Sequence, residues 1–160
     1  YIHKDDNEEL QEMSVKENIE TMITLYEHLL KTEVILTWKV QEVPLVFAYP
    51  DKLSQVWSNF LQNALQAMDY QGNLKIEILF HPPQEVKVSF IDSGPGIPQD
   101  IQEKILNPFF TTKKRGEGSG LGLSIVQKII EEHQGRLEFQ SKPGETVFSV
   151  YLKASIKKQD

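Results

Sequence analysis

The sequence predicts an α/β fold, a two-layer α/β sandwich in which a mixed, mostly antiparallel sheet carries its helices on one face. Three observations predict it. Segments with strict two-residue alternation come in adjacent pairs joined by short connections, so the strands of each pair run antiparallel. Amphipathic stretches with apolar residues at steps of three and four need an apolar surface to cover. The order is helix, strand, helix, two strands, loop, helix, two strands, without the regular alternation of a doubly wound parallel sheet.

The elements follow in order. Residues 1–14 are polar and acidic without a firm period, and read as a lead-in from an upstream domain. In 15–30, Val15, Ile19, Met22, Ile23, Tyr26, Leu29 and Leu30 mark one face of a single helix, with His28 beside that face and partly buried. Residues 32–40 are rich in β-branched and aromatic side chains and predict a strand; 46–49 predict a short edge strand. Asp51 is placed as the N-cap of a helix lined by Leu53, Val56, Trp57, Phe60, Leu61, Ala64, Leu65 and Met68, closed by 71–73. Leu74, Ile76, Ile78 and Phe80 alternate, as do Val86, Val88 and Phe90, with His81-Pro82-Pro83-Gln84 between them. Residues 101–106 predict one or two helical turns, stopped by Asn107-Pro108. A helix over 121–132 turns Leu123, Val126, Ile129 and Ile130 inward and ends at Gly135 as its cap. Two strands, 137–139 and 146–152, close the domain around Lys142-Pro143-Gly144-Glu145. The globular domain is therefore 15–153, with a frayed tail at 154–160.

Composition narrows the function classes. The 160 residues suit one domain with a real core. With 17 basic against 23 acidic residues, the net charge of -6 disfavours general binding to a nucleic-acid backbone. There is no cysteine, which excludes disulfides, thiolate metal sites and a cysteine nucleophile. No run approaches the length of a membrane-spanning helix. The chain starts without methionine, as an excised domain does, and a cytoplasmic location is expected. The four histidines are scattered, with no metal-ligand spacing.

Three motifs carry chemistry. Gly116-Glu117-Gly118-Ser119-Gly120-Leu121-Gly122 places glycines at every second position before a helix. Backbone amides at a helix start attract anions, and glycine lets phosphate come close. It is neither a P-loop, since the Lys-Ser/Thr ending is missing, nor a dinucleotide fingerprint, since it follows a polar loop. A flexible loop with a helix cap is the bland alternative. Asp92-Ser93-Gly94-Pro95-Gly96 ends a strand, where a carboxylate can accept from an exocyclic amine; an Asx-type turn is its bland alternative. Asn59 and Asn63 lie one turn apart on one helix, and face the same way. Their amides need partners, either an ion carrying phosphates or a neighbouring loop.

In this order the motifs resemble the ATP-binding (Bergerat-type) fold shared by sensor histidine kinases, gyrase-type topoisomerases, Hsp90-type chaperones and MutL mismatch-repair proteins. Asn59–Ala67 resembles the N box, Asp92–Gly96 the first glycine box, Asn107–Lys113 the F box and Gly118–Leu123 the second glycine box. The F box and the Gly-Leu-Gly-Leu form resemble the histidine kinase branch, and Pro-Phe-Phe-Thr-Thr-Lys its nitrogen-regulator-like subgroup. Two positions depart from the family pattern: Leu106 replaces a frequent aromatic, and Gln66-Ala67 replaces a frequent basic residue.

The resemblance implies ATP and Mg²⁺ as ligands. Asn63 would hold the ion, with Asn59 assisting it or its waters. Asp92 would accept the adenine amino hydrogen, with Thr146 making a second contact through water, and Gly94 and Gly96 would let the base approach. Phe109 would anchor a lid that includes Thr111, Thr112 and Lys113, with Lys113 or Lys114 supplying positive charge. Gly118, Gly120 and Gly122 would line the phosphates, Ser119 would end the lid, and Ser119 and Leu121 would also belong to the cofactor-binding set. The implied function is the catalytic domain of a two-component histidine kinase. It would pass the γ-phosphoryl group to a histidine on an upstream dimerisation hairpin of the same protein, absent from this chain, and from there to a response-regulator receiver domain. The full-length protein would be a homodimer and the isolated domain a monomer, with no direct contact to nucleic acid. Two alternatives share the fold: an anti-sigma-factor-type serine kinase, and a non-catalytic ATP-sensing docking domain.

Overall fold

The computed structural model describes residues 9–30, 33–102, 104 and 121–155. Its elements are β1 (Gln11–Met13), α1 (Val15–Leu25), α2 (Glu27–Leu30), β2 (Glu33–Val40), β3 (Val46–Ala48), α3 (Pro50–Ala67), β4 (Gln71–His81), β5 (Glu85–Asp92), α4 (Gln99–Gln102), α5 (Leu121–Glu132), β6 (Arg136–Lys142) and β7 (Glu145–Lys153). The main sheet has the order β2-β4-β5-β7-β6. β2 runs parallel to β4, and every other pairing is antiparallel. The expected mixed, mostly antiparallel sheet is what forms.

Strand parity builds the core. Leu74, Ile76 and Ile78 of β4, Val86, Val88 and Phe90 of β5, and Phe148, Val150 and Leu152 of β7 are all buried. The register aligns them as neighbours, Ile76 with Phe90 and Phe90 with Phe148. On this face lie α1, α3 and α5, which bury the residues their periodicity marks: Val15, Ile19 and Met22; Leu53 through Leu65 at helical spacing; Leu123, Val126, Ile129 and Ile130. Aromatic rings join the layers. Trp57 of α3 stacks on Phe90 at 6.1 Å, and Phe60 meets Phe90 at 5.5 Å and Phe148 at 5.4 Å. Asn18 ties the helices together: Trp57 Nε1 donates to its Oδ1 at 2.8 Å, and its Nδ2 donates to the Pro50 carbonyl.

Several local expectations are corrected. Asp51 is not the N-cap of α3. Tyr49 is, because Pro50 takes the first helical position, where its missing N–H costs nothing. The Tyr49 N–H is instead accepted by His133 Nε2 at 3.0 Å, while His133 Nδ1 donates to the Ile129 carbonyl at 2.7 Å. This neutral imidazole, with the Lys52–Glu132 ion pair, fastens the start of α3 to the end of α5. The chain does not turn at 71–73, which already pair with β2; left-handed Asp69 and Tyr70 make the turn. The end of α5 is turned by Gln134 (φ 57°) and not by Gly135. The first helix breaks at Tyr26, and His28 is exposed. Residues 11–13 pair with β3, so the lead-in contains a strand. α4 begins at Gln99, earlier than the pattern indicates.

Phe60 joins helix and sheet at full burial. Phe60→Ala is expected to cost about 3–5 kcal/mol through lost burial and the cavity left behind. Urea unfolding of the two proteins measures it.

Candidate functional site

The parity that buries Phe90 also decides the fate of Asp92. Val86, Val88, Phe90 and Asp92 lie on one side of β5, so the inward row ends in a carboxylate. Asp92 is only 5% exposed. Its Oδ1 accepts the Gly94 N–H at 2.9 Å. Among the described residues, no donor meets its second oxygen. Burial pushes its pKa above the usual carboxylate value; the Gly94 N–H pulls against that, and the nearby Glu145 carboxylate adds to the rise. A buried carboxylate oxygen without a protein donor is costly, and a ligand N–H would relieve that cost.

Thr146 lies directly opposite Asp92 in the β5–β7 register and is equally buried. Its hydroxyl is 2.8 Å from Ser141 Oγ, across the β6–β7 hairpin. Ser141 Oγ in turn accepts the Ile97 N–H at 2.7 Å. Gln102, on α4, donates to the Ile97 carbonyl at 2.7 Å. The loop after Asp92 is therefore pinned at both ends, by the Asp92 carboxylate and by Ser141.

The glycines of this loop accommodate protein as well as any ligand. A Cβ on Gly94 would stand 2.9 Å from Asp92 Oδ1 and 3.3 Å from the Ala67 carbonyl oxygen. Gly96 has φ +90°, and a Cβ there would stand 2.4 Å from the Lys142 carbonyl oxygen. Asn59, Asn63 and Ala67 follow at steps of four, so they form one stripe along α3. That stripe ends where Gly94 touches the helix. Asn59 and Asn63 are half-buried on it.

The structure thus brings Asp92, Gly94, Gly96 and Thr146 to one end of the sheet and sets the asparagine stripe against the same loop. Phe109, Thr111, Thr112, Lys113, Lys114, Gly118, Ser119 and Gly120 lie outside the described residues, as does Leu106. Of Leu121 and Gly122, only their place at the start of α5 is described. Sequence reasoning missed Ser141, Ser93 and Gln102. Ser93 Oγ accepts the Asn73 N–H at 2.9 Å and its own N–H donates to the Asn73 carbonyl, extending the β4–β5 ladder past Asp92. The signal for Ser141 was present: a hairpin turning at Pro143-Gly144 puts residue 141 opposite Thr146.

This is the architecture of an ATPase domain with its helices on one side of the sheet, distinct from P-loop and dinucleotide folds. The chain belongs to the family described as histidine kinase-, DNA gyrase B-, and HSP90-like ATPases, whose pattern matches residues 48–156. Its relatives are histidine kinases. Sporulation kinase E of Bacillus subtilis is 39% identical over 114 residues, covering 71% of this chain and 15% of that protein. Sensor histidine kinase ZraS of Salmonella typhimurium is 40% identical over 71% of this chain and 24% of its own length. The sensory histidine kinase/phosphatase NtrB of Proteus hauseri is 36% identical over 69% of this chain and 34% of its own. The chain thus spans between 15% and 34% of the length of these curated relatives. The nucleotide-free catalytic domain of histidine kinase ThkA superposes with a TM-score of 0.82 at 35% identity, covering 91% of this chain and 95% of that one. The fold and the kinase-type catalytic domain are therefore as the motifs implied, and the serine kinase alternative is not favoured.

Two outcomes test the site. Because burial raises the folded-state pKa of Asp92, the folded protein binds a proton more readily there than the unfolded chain does. Stability from this group is therefore lost as pH climbs from the ordinary carboxylate value through the raised one. Asp92→Asn, which keeps an acceptor for Gly94, is expected to be more stable than the native protein at neutral pH, with the difference vanishing in acid; thermal melts across pH show it. Gly96→Ala is expected to cost about 1–3 kcal/mol, from the left-handed φ and the clash with Lys142, as read by denaturant unfolding.

Proposed function

We propose that this chain is the Mg-ATP-binding catalytic domain of a two-component sensor histidine kinase, and that it transfers the γ-phosphoryl group of ATP to a histidine on an upstream dimerisation hairpin of the same protein. The observation that carries the reading is the buried Asp92 carboxylate, with one oxygen held by Gly94 and the other left without a donor among the described residues. An adenine amino group supplies the missing N–H. The Asp92–Gly94 turn and the Ile97–Ser141 bond hold the loop so that the base meets a preformed edge.

The asparagine stripe suits a hard dication. Asn59 and Asn63 offer neutral amide oxygens on a half-buried helix face, and Mg²⁺ prefers oxygen ligands while sharing phosphates and water. Asn63 is assigned the direct contact and Asn59 the assisting one. When bound, the ion neutralises charge on the phosphates and orients them. The chain's own part is positioning and electrostatics: Asp92 and Thr146 orient the base, and the α5 N-terminus with Gly118, Gly120 and Gly122 receives the phosphates. Lys113 is assigned the compensating positive charge, Phe109 the base of the lid, Thr111 to Ser119 (with Thr112 among them) the lid itself, and Leu121 a place in the same nucleotide-binding set. The attacking nucleophile is the imidazole of the hairpin, not a group of this domain.

The phosphoryl group would pass next to a response-regulator receiver domain. Histidine kinase ThkA, 32% identical to this chain, forms a complex with the response regulator TrrA, which supports that partner class. The domain boundaries, 15–153 within a longer homodimeric protein, and a cytoplasmic site of action belong to the same proposal. Among the described residues, no helix is long and apolar enough to cross a membrane.

Titration calorimetry with ATP is expected to show binding that needs Mg²⁺ and falls at least tenfold in Asn63→Ala, the loss expected for one charge-assisted contact. With γ-labelled ATP and a supplied histidine hairpin, label should appear on the hairpin in an acid-labile form. Binding without any transfer would favour the ATP-sensing docking role instead.

A further inference from the structure

Two hydroxyls beside Asp92 form a chain that starts at the Ile97 N–H. A serine or threonine hydroxyl donates one hydrogen and accepts up to two. The Ile97 N–H can only donate, so Ser141 Oγ accepts there, at 2.7 Å. Ser141 Oγ and Thr146 Oγ1 lie 2.8 Å apart, and either hydroxyl can donate to the other. In the arrangement where Ser141 donates, Thr146 keeps its own proton for a third group. Thr146 sits across the register from Asp92, on the same inward face.

We propose that Ser141 is a positioning residue for base selectivity: by accepting from Ile97 and donating to Thr146, it sets the Thr146 hydroxyl as a donor beside the Asp92 acceptor. This rests on the reading of Asp92 as the adenine contact. The pair then presents an acceptor next to a donor. Adenine shows the complementary edge, an amino donor beside a ring-nitrogen acceptor, met by Thr146 directly or through one water. Guanine shows a carbonyl acceptor beside an N–H donor, the reverse order, and both contacts become mismatched. A site with fixed polar groups rejects such a base strongly, because each mismatch leaves a buried group unpaired. Ser141 adds a second effect, since the same hydroxyl holds Ile97 and so the far end of the glycine loop.

Binding of ATP and of its 1-deaza analogue, which has carbon in place of that ring nitrogen, separates the two effects. Loosening the loop weakens both ligands alike; losing the Thr146 orientation weakens only ATP. The native domain is expected to prefer ATP by about tenfold, the scale of one well-made hydrogen bond. In Ser141→Ala the preference should shrink to about twofold or less, and Ser141→Thr, which keeps the hydroxyl on a strand suited to β-branching, should restore it. If Ser141→Ala weakens both nucleotides by the same factor and leaves the gap intact, or changes neither, the role of Ser141 is overturned while Asp92-dependent ATP binding stands. If the native domain binds neither nucleotide, the ATP reading itself has failed.

Discussion

The organising constraint is the pleat of β5. A row of buried side chains begins with Val86, passes through Phe90 and ends in a carboxylate on the same side. The parity that places Phe90 against Trp57 also turns Asp92 to that side, where it is buried. The cost of burying that charge is partly offset by one backbone N–H, from Gly94. The rest stays open to a ligand. Stability and function are opposed at this residue, as is common where a binding group is held ready before its ligand arrives. The neighbouring strand repeats the pattern: the inward row of β7 ends in Thr146 beyond Phe148. The aromatic seam and the polar end of the sheet are two stretches of the same rows.

The glycine loop shows how packing and binding share residues. Gly94 lies against the end of α3, and Gly96 against the β6–β7 turn. Their first role is to let three elements meet without side chains between them. Because α3 also carries Asn59 and Asn63, the contact at Gly94 fixes the asparagine stripe relative to the Asp92 carboxylate. At the far end of the same helix, His133 and Lys52 fasten α3 to α5, the helix that follows the second glycine cluster. The asparagine helix is thus secured at both ends, by the first glycine cluster and by α5.

Much of this was legible in the sequence, and the reason is periodicity. Alternation over 74–80 and 86–92 and helical spacing over 53–68 report burial directly, so the core and the layer order could be read. The motifs named Asp92 and the asparagines as candidates, and the family resemblance added Thr146. What escaped depended on backbone geometry that composition does not record. Left-handed Asp69, Tyr70 and Gln134 carry turns where glycine was expected, because tertiary contacts override the preference. Tyr49 caps α3 through a histidine 84 residues away, a partner that local rules cannot supply. Ser141 escaped for a different reason: its role follows from strand register, which the hairpin implied but the motifs did not name.

The central claim is that the Asp92 oxygen without a donor among the described residues takes a hydrogen from the base. Its most direct test compares ATP with purine riboside triphosphate, which lacks only the amino group, in binding titrations on the native domain at neutral pH. A charge-assisted hydrogen bond predicts at least a tenfold preference for ATP. Equal affinities would contradict the claim and leave the buried carboxylate without a ligand.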